Sequence, residues 1–217
     1  MLGFVDLIKD VYNNSKAHGW HDCERSVSTE FALITSEWAE ALEEDRAGLP
    51  LFYRVCSLDG SECEVNPDGS YANECCDSKF IKPKPEGSGI ELLDGIIRIF
   101  DLIGSHEGFE EFFVCGSNEL INFEWIEDKL SEDANMHIDG FREFGQLVQF
   151  LNDMTSSAHC EYMEHENLTD DMIVSFVCIV AVVFAWIRKQ GYCPKKLLLE
   201  KHEYNKTRPF MHGGKKY

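Results

Sequence analysis

The chain has 217 residues, enough for one domain, and its share of hydrophobic (44%) and charged (27%) residues is typical of a globular protein. Its net charge of −19 argues against nucleic acid polymers and anionic membranes as partners, because both would repel it. A small nucleotide bound through a metal ion is not excluded. The cysteine count is nine, an odd number, and the chain begins without a signal-peptide pattern, so we expect free thiols in a reducing, cytoplasmic compartment.

The first two helices are predicted before residue 47. Apolar residues recur at helical spacing over residues 4–17. After a loop, Ser26 or Ser28 can cap a second helix that runs to about Arg46. One face of this second helix is apolar, and a separate face carries a stripe of acidic residues. The acidic stripe consists of Glu37, Glu40 and Glu44.

Residues 49–89 differ in composition from the helices on either side, because Gly, Pro, Asn, Asp and Cys are common there. An apolar piece at residues 51–55 can pair as a small hairpin, and we interpret the segment as an insertion between two helices. The segment also contains cysteines whose spacing matches no common zinc finger, so free thiols are favoured over a zinc site. These cysteines are Cys56, Cys63, Cys75 and Cys76.

The third helix, predicted from Ile90 to Ile103, is apolar on most sides, and this pattern predicts a buried helix. A single polar stripe interrupts the apolar surface. Charges on a buried helix require compensation by a metal ion, an ion pair or a ligand. The stripe consists of Glu91, Asp94, Arg98 and Asp101.

Two acidic pairs, Glu37-x-x-Glu40 and Glu91-x-x-Asp94, indicate a metal site. A spacing of i, i+3 places both carboxylates of a pair on one face of a helix. If the two helices face each other, four carboxylates converge, and they cannot all stay ionised without a cation. Ligation by oxygen alone selects a hard ion such as Mg²⁺ or Mn²⁺, which is suited to holding the phosphates of a nucleotide. The alternative is a solvated acidic helix face.

Further helices are predicted at residues 119–131, 139–158, 170–190 and 194–205. No strand alternation of any length is present, so the predicted fold class is an all-α bundle. The longest apolar run, residues 172–187, is shorter than the about 20 residues that a comfortable membrane span needs, and we interpret it as a buried helix.

A second group of potential metal ligands occurs near the end of the predicted 139–158 helix. We place this group in a polar loop between helices and favour a solvated surface over a metal site. The group consists of His159, Cys160, Glu161, Glu164 and His165.

The chain also contains a weak internal similarity. Residues 91–108 can be laid on residues 174–191 without gaps, and several apolar positions match. In that overlay Val174 and Val177 replace the acidic pair of the first segment. A degenerate duplication that kept the core and lost the ligands would explain the similarity, and chance resemblance between buried helices explains it equally well.

The acidic pairs and their flanks, in this order, resemble the all-α nucleoside triphosphate pyrophosphohydrolases, the MazG-like and dimeric-dUTPase-like group. The matching flanks are residues 18–20 (HGW), 84–87 (KPEG), 204–209 (YNKTRP) and 212–215 (HGGK). The resemblance covers about residues 1–48, 82–110 and 190–217. The chain departs from the family in the long insertion and in an extra helical segment at about 110–190. If that segment is a degenerate repeat, one chain would fold like a dimer of shorter relatives, so a homo-oligomer and a pseudo-dimeric monomer are both open.

The resemblance implies hydrolysis of a (deoxy)nucleoside triphosphate to the monophosphate and pyrophosphate, with Mg²⁺ as cofactor and Mn²⁺ as a possible substitute. The implied metal ligands are Glu37, Glu40, Glu91 and Asp94, with Glu40 or Glu44 as the general base on water. The implied nucleotide-binding residues are His18, Trp20, Arg98, Asn205, Lys206 and Arg208.

Several of these residues also have a structural interpretation. Trp20 would serve equally as a loop or core anchor, and Asn205 as a helix cap. Arg98 is as well placed for an ion pair with Asp94 or Asp101 as for a phosphate. The basic residues near the C-terminus would otherwise form a solvated tail.

Other function classes remain for comparison. A di-iron carboxylate bundle needs Glu-x-x-His on facing helices, and no histidine in the chain has a glutamate three residues before it. A non-catalytic nucleotide-binding or regulatory module of the same fold is the main alternative. A nucleoside diphosphate or an unusual nucleotide would be a third possibility within enzymes.

Overall fold

A computed structural model describes residues 3–23, 25–56, 60–67, 83–114, 122–129 and 131–211 of the protein. Within these ranges the chain is mostly helical, and the all-α prediction is confirmed at the level of fold class. The helices are α1 Phe4–Ala17, α2 Val27–Arg46, α3 Ser88–Gly104, α4 Phe123–Lys129, α5 Ser131–Gly140, α6 Phe144–His165, α7 Asp170–Lys189 and α8 Pro194–Asn205. A 3₁₀ turn at Phe109–Phe113 follows α3.

The first three and last two predicted helices are confirmed, but the middle of the chain is divided differently. The predicted 119–131 helix is confirmed over α4, which begins after Asn122, whose side-chain oxygen accepts the N–H of Trp125; residues 119–121 and 130 lie outside the described residues. A separate helix, α5, begins at Ser131. The next helix starts at residue 144, where the Gln146 side chain accepts the N–H of Glu143 in a capping box. It continues to His165.

A small antiparallel sheet lies between α2 and α3. Its strands are β1 Tyr53–Val55, β2 Glu62–Glu64 and β3 Lys84–Glu86, in the order β2-β1-β3. The hairpin predicted near residues 51–55 is therefore present, with a third strand added beside it. Cys56 is a free thiol and Cys63 is buried, whereas Cys75 and Cys76 lie outside the described residues.

The central helix α3 contacts α1, α2, α7, α8 and β3. Close approach of α2 and α3 depends on Gly95, because a Cβ there would lie 2.2 Å from ring carbons of Trp38. The Trp38 ring is fully buried between the helices, and its Nε1 donates to Thr155 Oγ1 of α6 at 3.0 Å. This packing fixes the distance between the two helices that carry the acidic pairs.

Helices α6 and α7 pack on the first pair, with α6 against α2 and α7 against α3. This packing of α6 and α7 on α2 and α3 is compatible with the internal duplication that the sequence suggested. The duplication itself stays a prediction. Helix α7 is the helix in the described part of the chain that is long and apolar enough to cross a membrane. Because 67% of its most apolar stretch is buried in the fold, it is a core helix in this structure, as the sequence predicted.

Candidate functional site

A polar cleft lies where α2, α3 and α8 meet, bordered by β3 and by the segment after α8. The four carboxylates of the two acidic pairs all line it. Glu37, Glu40 and Glu91 each offer an oxygen, and these oxygens lie within 4.8 Å of one another. Glu37 and Glu91 are only 5% and 7% exposed, whereas Glu40 is exposed. The two helices therefore do face each other, and the carboxylates converge.

Burial and mutual repulsion shift the protonation of this cluster. Burial, together with the charges of Asp94 and Glu37, raises the pKa of Glu91 to about 8. Burial also raises the pKa of Glu37, with Asp94 and Glu40 contributing and the positive charge of Arg98 opposing the shift. The cluster thus holds more negative charge than its surroundings neutralise, which favours protons or a cation between the oxygens.

Arg98 forms an ion pair with Glu37, a partner that the sequence analysis did not consider. Neither acidic neighbour on its own helix is that partner. Asp101 instead accepts a hydrogen bond from Ser15 Oγ at 2.9 Å and lies 2.9 Å from His21 Nε2. The guanidinium of Arg98 still lines the cleft, where it can reach an anionic ligand.

Lys201 lines the cleft although no sequence pattern predicted it, and the same is true of its neighbour His202. Lys201 is 2% exposed, and its Nζ lies 2.7 Å from Asp94 Oδ2 and donates to the carbonyl of Pro85 at 3.5 Å. Burial opposes its charge, but Asp94 and Glu91 outweigh burial and raise the pKa of Lys201. Its only sequence signal is a position four residues before Asn205, on the same face of α8.

His18 holds the C-terminal segment instead of lining the cleft. Its ring nitrogens lie 2.8 Å from the carbonyl oxygens of Asn14 and Arg208. Its own carbonyl accepts the N–H of Met211 at 3.0 Å. Gly19 adopts a left-handed φ of 82°, and a Cβ there would meet the Phe210 ring at 2.2 Å. The loop after α1 is therefore a docking site that brings Arg208 to the cleft.

Of the remaining residues predicted to bind the nucleotide, two line the cleft and one does not. Trp20 and Asn205 line the cleft, and the Arg25 guanidinium lies 6.0 Å from the Trp20 ring. Lys206 is paired with Asp10 and Glu203, each at 2.7 Å, and does not line the cleft.

Glu44, the alternative general base, also lies away from the cleft. Its Oε2 accepts a hydrogen bond from the Tyr53 hydroxyl at 3.1 Å, in contact with the small sheet. Burial is the main cause that raises the pKa of Glu44. The structure thus gives Glu44 a partner in the insertion and leaves Glu40 as the exposed carboxylate of the cleft.

The second predicted ligand group lies on a helix, not in a loop, because α6 continues to His165. Glu161, Glu164 and His165 have ligand atoms within 4.8 Å of one another. His159 Nε2 instead lies 3.0 Å from Ser28 Oγ. Glu164 and His165 are exposed, and an exposed acidic helix end of this kind explains the group without a metal.

Comparison of the chain with protein-family models, with curated proteins and with solved structures gave no match. The resemblance to the all-α pyrophosphohydrolases therefore depends on the sequence motifs, and the enzyme class stays a prediction.

Proposed function

We propose that the protein is a Mg²⁺-dependent nucleoside triphosphate pyrophosphohydrolase of the all-α type, which releases the nucleoside monophosphate and pyrophosphate. The observation that carries this proposal is the convergence of Glu37, Glu40 and Glu91 within 4.8 Å in a cleft that Asp94 also lines. On a solvated acidic helix face the carboxylates would stay exposed to water. Glu37 of α2 and Glu91 of α3 are instead buried close to each other.

The donor set fits a hard divalent cation, because every candidate ligand is a carboxylate oxygen. The raised pKa of Glu91 and Glu37 supports the same assignment, since a cation between these oxygens would relieve their repulsion. Bound Mg²⁺ would neutralise phosphate charge and orient the triphosphate. Glu37, Glu40, Glu91 and Asp94 are the residues proposed to hold it.

Residues of the chain would then carry out the remaining steps. Glu40, as the exposed carboxylate, would accept the proton from a water that attacks the α-phosphorus. The bond from that phosphorus to the bridging oxygen breaks, and pyrophosphate leaves with the bonding electrons. Arg98 and Arg208 would donate to phosphate oxygens, and Trp20 at the cleft would stack on the base.

The decisive experiment measures pyrophosphate and orthophosphate release from a panel of NTPs and dNTPs with Mg²⁺. We expect metal-dependent pyrophosphate without orthophosphate, reduced about 100-fold or more in Glu40→Gln. Glu43→Gln is the matched control, because Glu43 is exposed on the same helix and does not line the cleft. No turnover of any triphosphate by a folded protein that binds Mg²⁺ would reject the proposal.

The alternative is a non-catalytic nucleotide-binding module of the same fold. It is favoured by the ion pairs of Arg98 with Glu37 and of Lys201 with Asp94, which neutralise two of the four carboxylates within the chain. This alternative predicts that nucleotide with Mg²⁺ raises the melting temperature while the same samples show no pyrophosphate release.

A further inference from the structure

Two buried polar atoms on helix α8 have no hydrogen-bond partner among the described residues. They are His202 Nδ1 and Asn205 Oδ1, and both side chains line the cleft. The two residues are three apart in a helix, so they occupy one face of it. Buried polar groups in folded proteins are nearly always hydrogen-bonded, so two unpartnered atoms on one face of α8 indicate a place for a ligand.

Contacts on the other side of the imidazole determine what kind of ligand group it can bind. His202 is completely buried, and its Nε2 lies 2.9 Å from Asp10 Oδ2. An ionised carboxylate only accepts hydrogen bonds, so Nε2 must be the donor. In a neutral ring the proton on Nε2 leaves a lone pair on Nδ1, which makes Nδ1 an acceptor.

Hydrogen bonds from neighbouring groups keep Asp10 ionised, and burial keeps the imidazole of His202 neutral although the Asp10 carboxylate opposes this. Lys206 Nζ lies 2.7 Å from Asp10 Oδ2. Although burial opposes it, hydrogen bonds from Lys206 and His202 lower the pKa of Asp10. Burial lowers the pKa of His202, and the neighbouring Lys206 charge acts in the same direction. Lys206 therefore acts on the cleft through Asp10, which gives this residue a role without a phosphate contact.

We propose that His202 Nδ1 and Asn205 Oδ1 form an acceptor subsite that binds an N–H or O–H donor on the nucleoside part of the substrate. Asp10 is a positioning residue that fixes the tautomer of His202. This inference rests on the proposed function and extends it to the other end of the nucleotide. Lys201, the residue before His202, contacts Asp94 and so marks the side of the cleft where the phosphates would lie.

The test compares binding of α,β-imido nucleoside triphosphates with binding of inorganic tripolyphosphate, both with Mg²⁺, by titration calorimetry. In His202→Gln the side-chain amide can still donate to Asp10, but no acceptor remains at the Nδ1 position. We expect affinity for the nucleotide analogue to fall about 3- to 10-fold, with tripolyphosphate affinity unchanged. In His202→Asn the amide oxygen replaces Nδ1, and we expect it to retain more nucleotide affinity than His202→Gln.

A second variant keeps the test valid if changes at the buried histidine reduce folding. Asp10 has a side chain that is 38% exposed, so Asp10→Ala leaves the core intact. This change removes the acceptor for Nε2, so the imidazole proton is no longer held on Nε2 and Nδ1 is no longer fixed as an acceptor. The same selective loss of nucleotide affinity is expected, whereas Asp45→Ala, at an exposed position of α2 outside the cleft, serves as the control.

The outcomes separate the subsite from the proposed function. If the wild-type protein binds neither ligand, both are rejected. If it binds both and the His202 and Asp10 variants bind them equally well, or lose both in parallel, only the subsite is rejected.

Analogues then identify the donor. If the loss in His202→Gln disappears with a 2′,3′-dideoxy analogue, a sugar hydroxyl is the donor. If the loss persists there and changes with the base, the donor belongs to the base.

Discussion

The protonation of Glu91 responds strongly to the fold, because burial and the charges of Asp94 and Glu37 raise its pKa to about 8. In an unfolded chain a glutamate ionises near its ordinary value of about 4.3. Between these two values the unfolded state loses a proton that the folded state keeps. The contribution of Glu91 to stability is therefore fully present at acid pH and is lost as pH rises through this interval.

We expect Glu91→Gln to raise the melting temperature at pH 8 in EDTA, by several degrees, because the amide carries no charge to repel its neighbours. The difference from wild type should shrink as the pH is lowered towards 5, where both side chains are neutral. Thermal denaturation of both proteins from pH 5 to 9 measures the difference in melting temperature. A difference that is constant with pH would show that repulsion at Glu91 does not control stability.

Lys201 and Asp94 form a buried ion pair, with Nζ and Oδ2 2.7 Å apart. Removing one member of such a pair leaves an uncompensated charge, which typically costs about 3–5 kcal/mol. We expect Lys201→Met to lower the melting temperature by about 6 °C or more. In the double variant with Asp94→Asn the loss should be largely recovered, and additive losses in the double variant would argue against a coupled pair.

Residue patterns predicted the carboxylates but not their partners. The spacing of Glu37, Glu40, Glu91 and Asp94 fixes a helix face, because a helix has a regular period. The pairing of Arg98 with Glu37 and the position of Lys201 depend on contacts between different helices. A lysine in a charged stretch of α8 gives no sign that it will be buried.

At the scale of elements, the site depends on how closely α2 and α3 approach. Trp38 lies on α2 between the acidic residues that face α3, and its ring occupies the space left by the missing side chain of Gly95. No sequence pattern distinguishes this glycine within an apolar helix. Its importance follows from the partner helix, which places a rigid ring at that point.

We expect Gly95→Ala to destabilise the protein by about 1–3 kcal/mol, because the added methyl group overlaps the Trp38 ring and pushes the helices apart. Gly145→Ala is the matched control, since Gly145 also lies in a helix but a Cβ there meets nothing within 4 Å. Alanine favours the helix, so that control should be neutral or slightly stabilising. Chemical denaturation measures the free energy of unfolding of both variants. Equal losses in Gly95→Ala and Gly145→Ala would contradict the packing argument.

At the scale of the whole molecule, the loop after α1 meets the last described residues of the chain beside the cleft. His18 and Gly19, after α1, hold the backbone of residues 208–211 through two hydrogen bonds and a ring contact. The family resemblance implied that His18 contacts the nucleotide. The structure assigns it to the segment that carries Arg208, so its effect on a nucleotide would be indirect.

We expect His18→Ala and Arg208→Ala to weaken nucleotide affinity to a similar extent, because both remove the Arg208 guanidinium from its place. The double variant should be no weaker than Arg208→Ala alone, since the two changes act on one interaction. Calorimetric titration of α,β-imido nucleotide with Mg²⁺ provides the three values. Fully additive losses would indicate that His18 contacts the nucleotide itself.

The sequence alone determined the all-α class, the outer helices and the two acidic pairs, because helical periodicity and spacing within one helix are local properties. The tertiary structure decided which charges meet: Arg98 with Glu37, Lys201 with Asp94, and Asp10 with His202. These pairs join residues at least 61 positions apart in the chain. Such contacts depend on how close the helices approach, which is fixed by packing at positions such as Gly95 and by no local pattern.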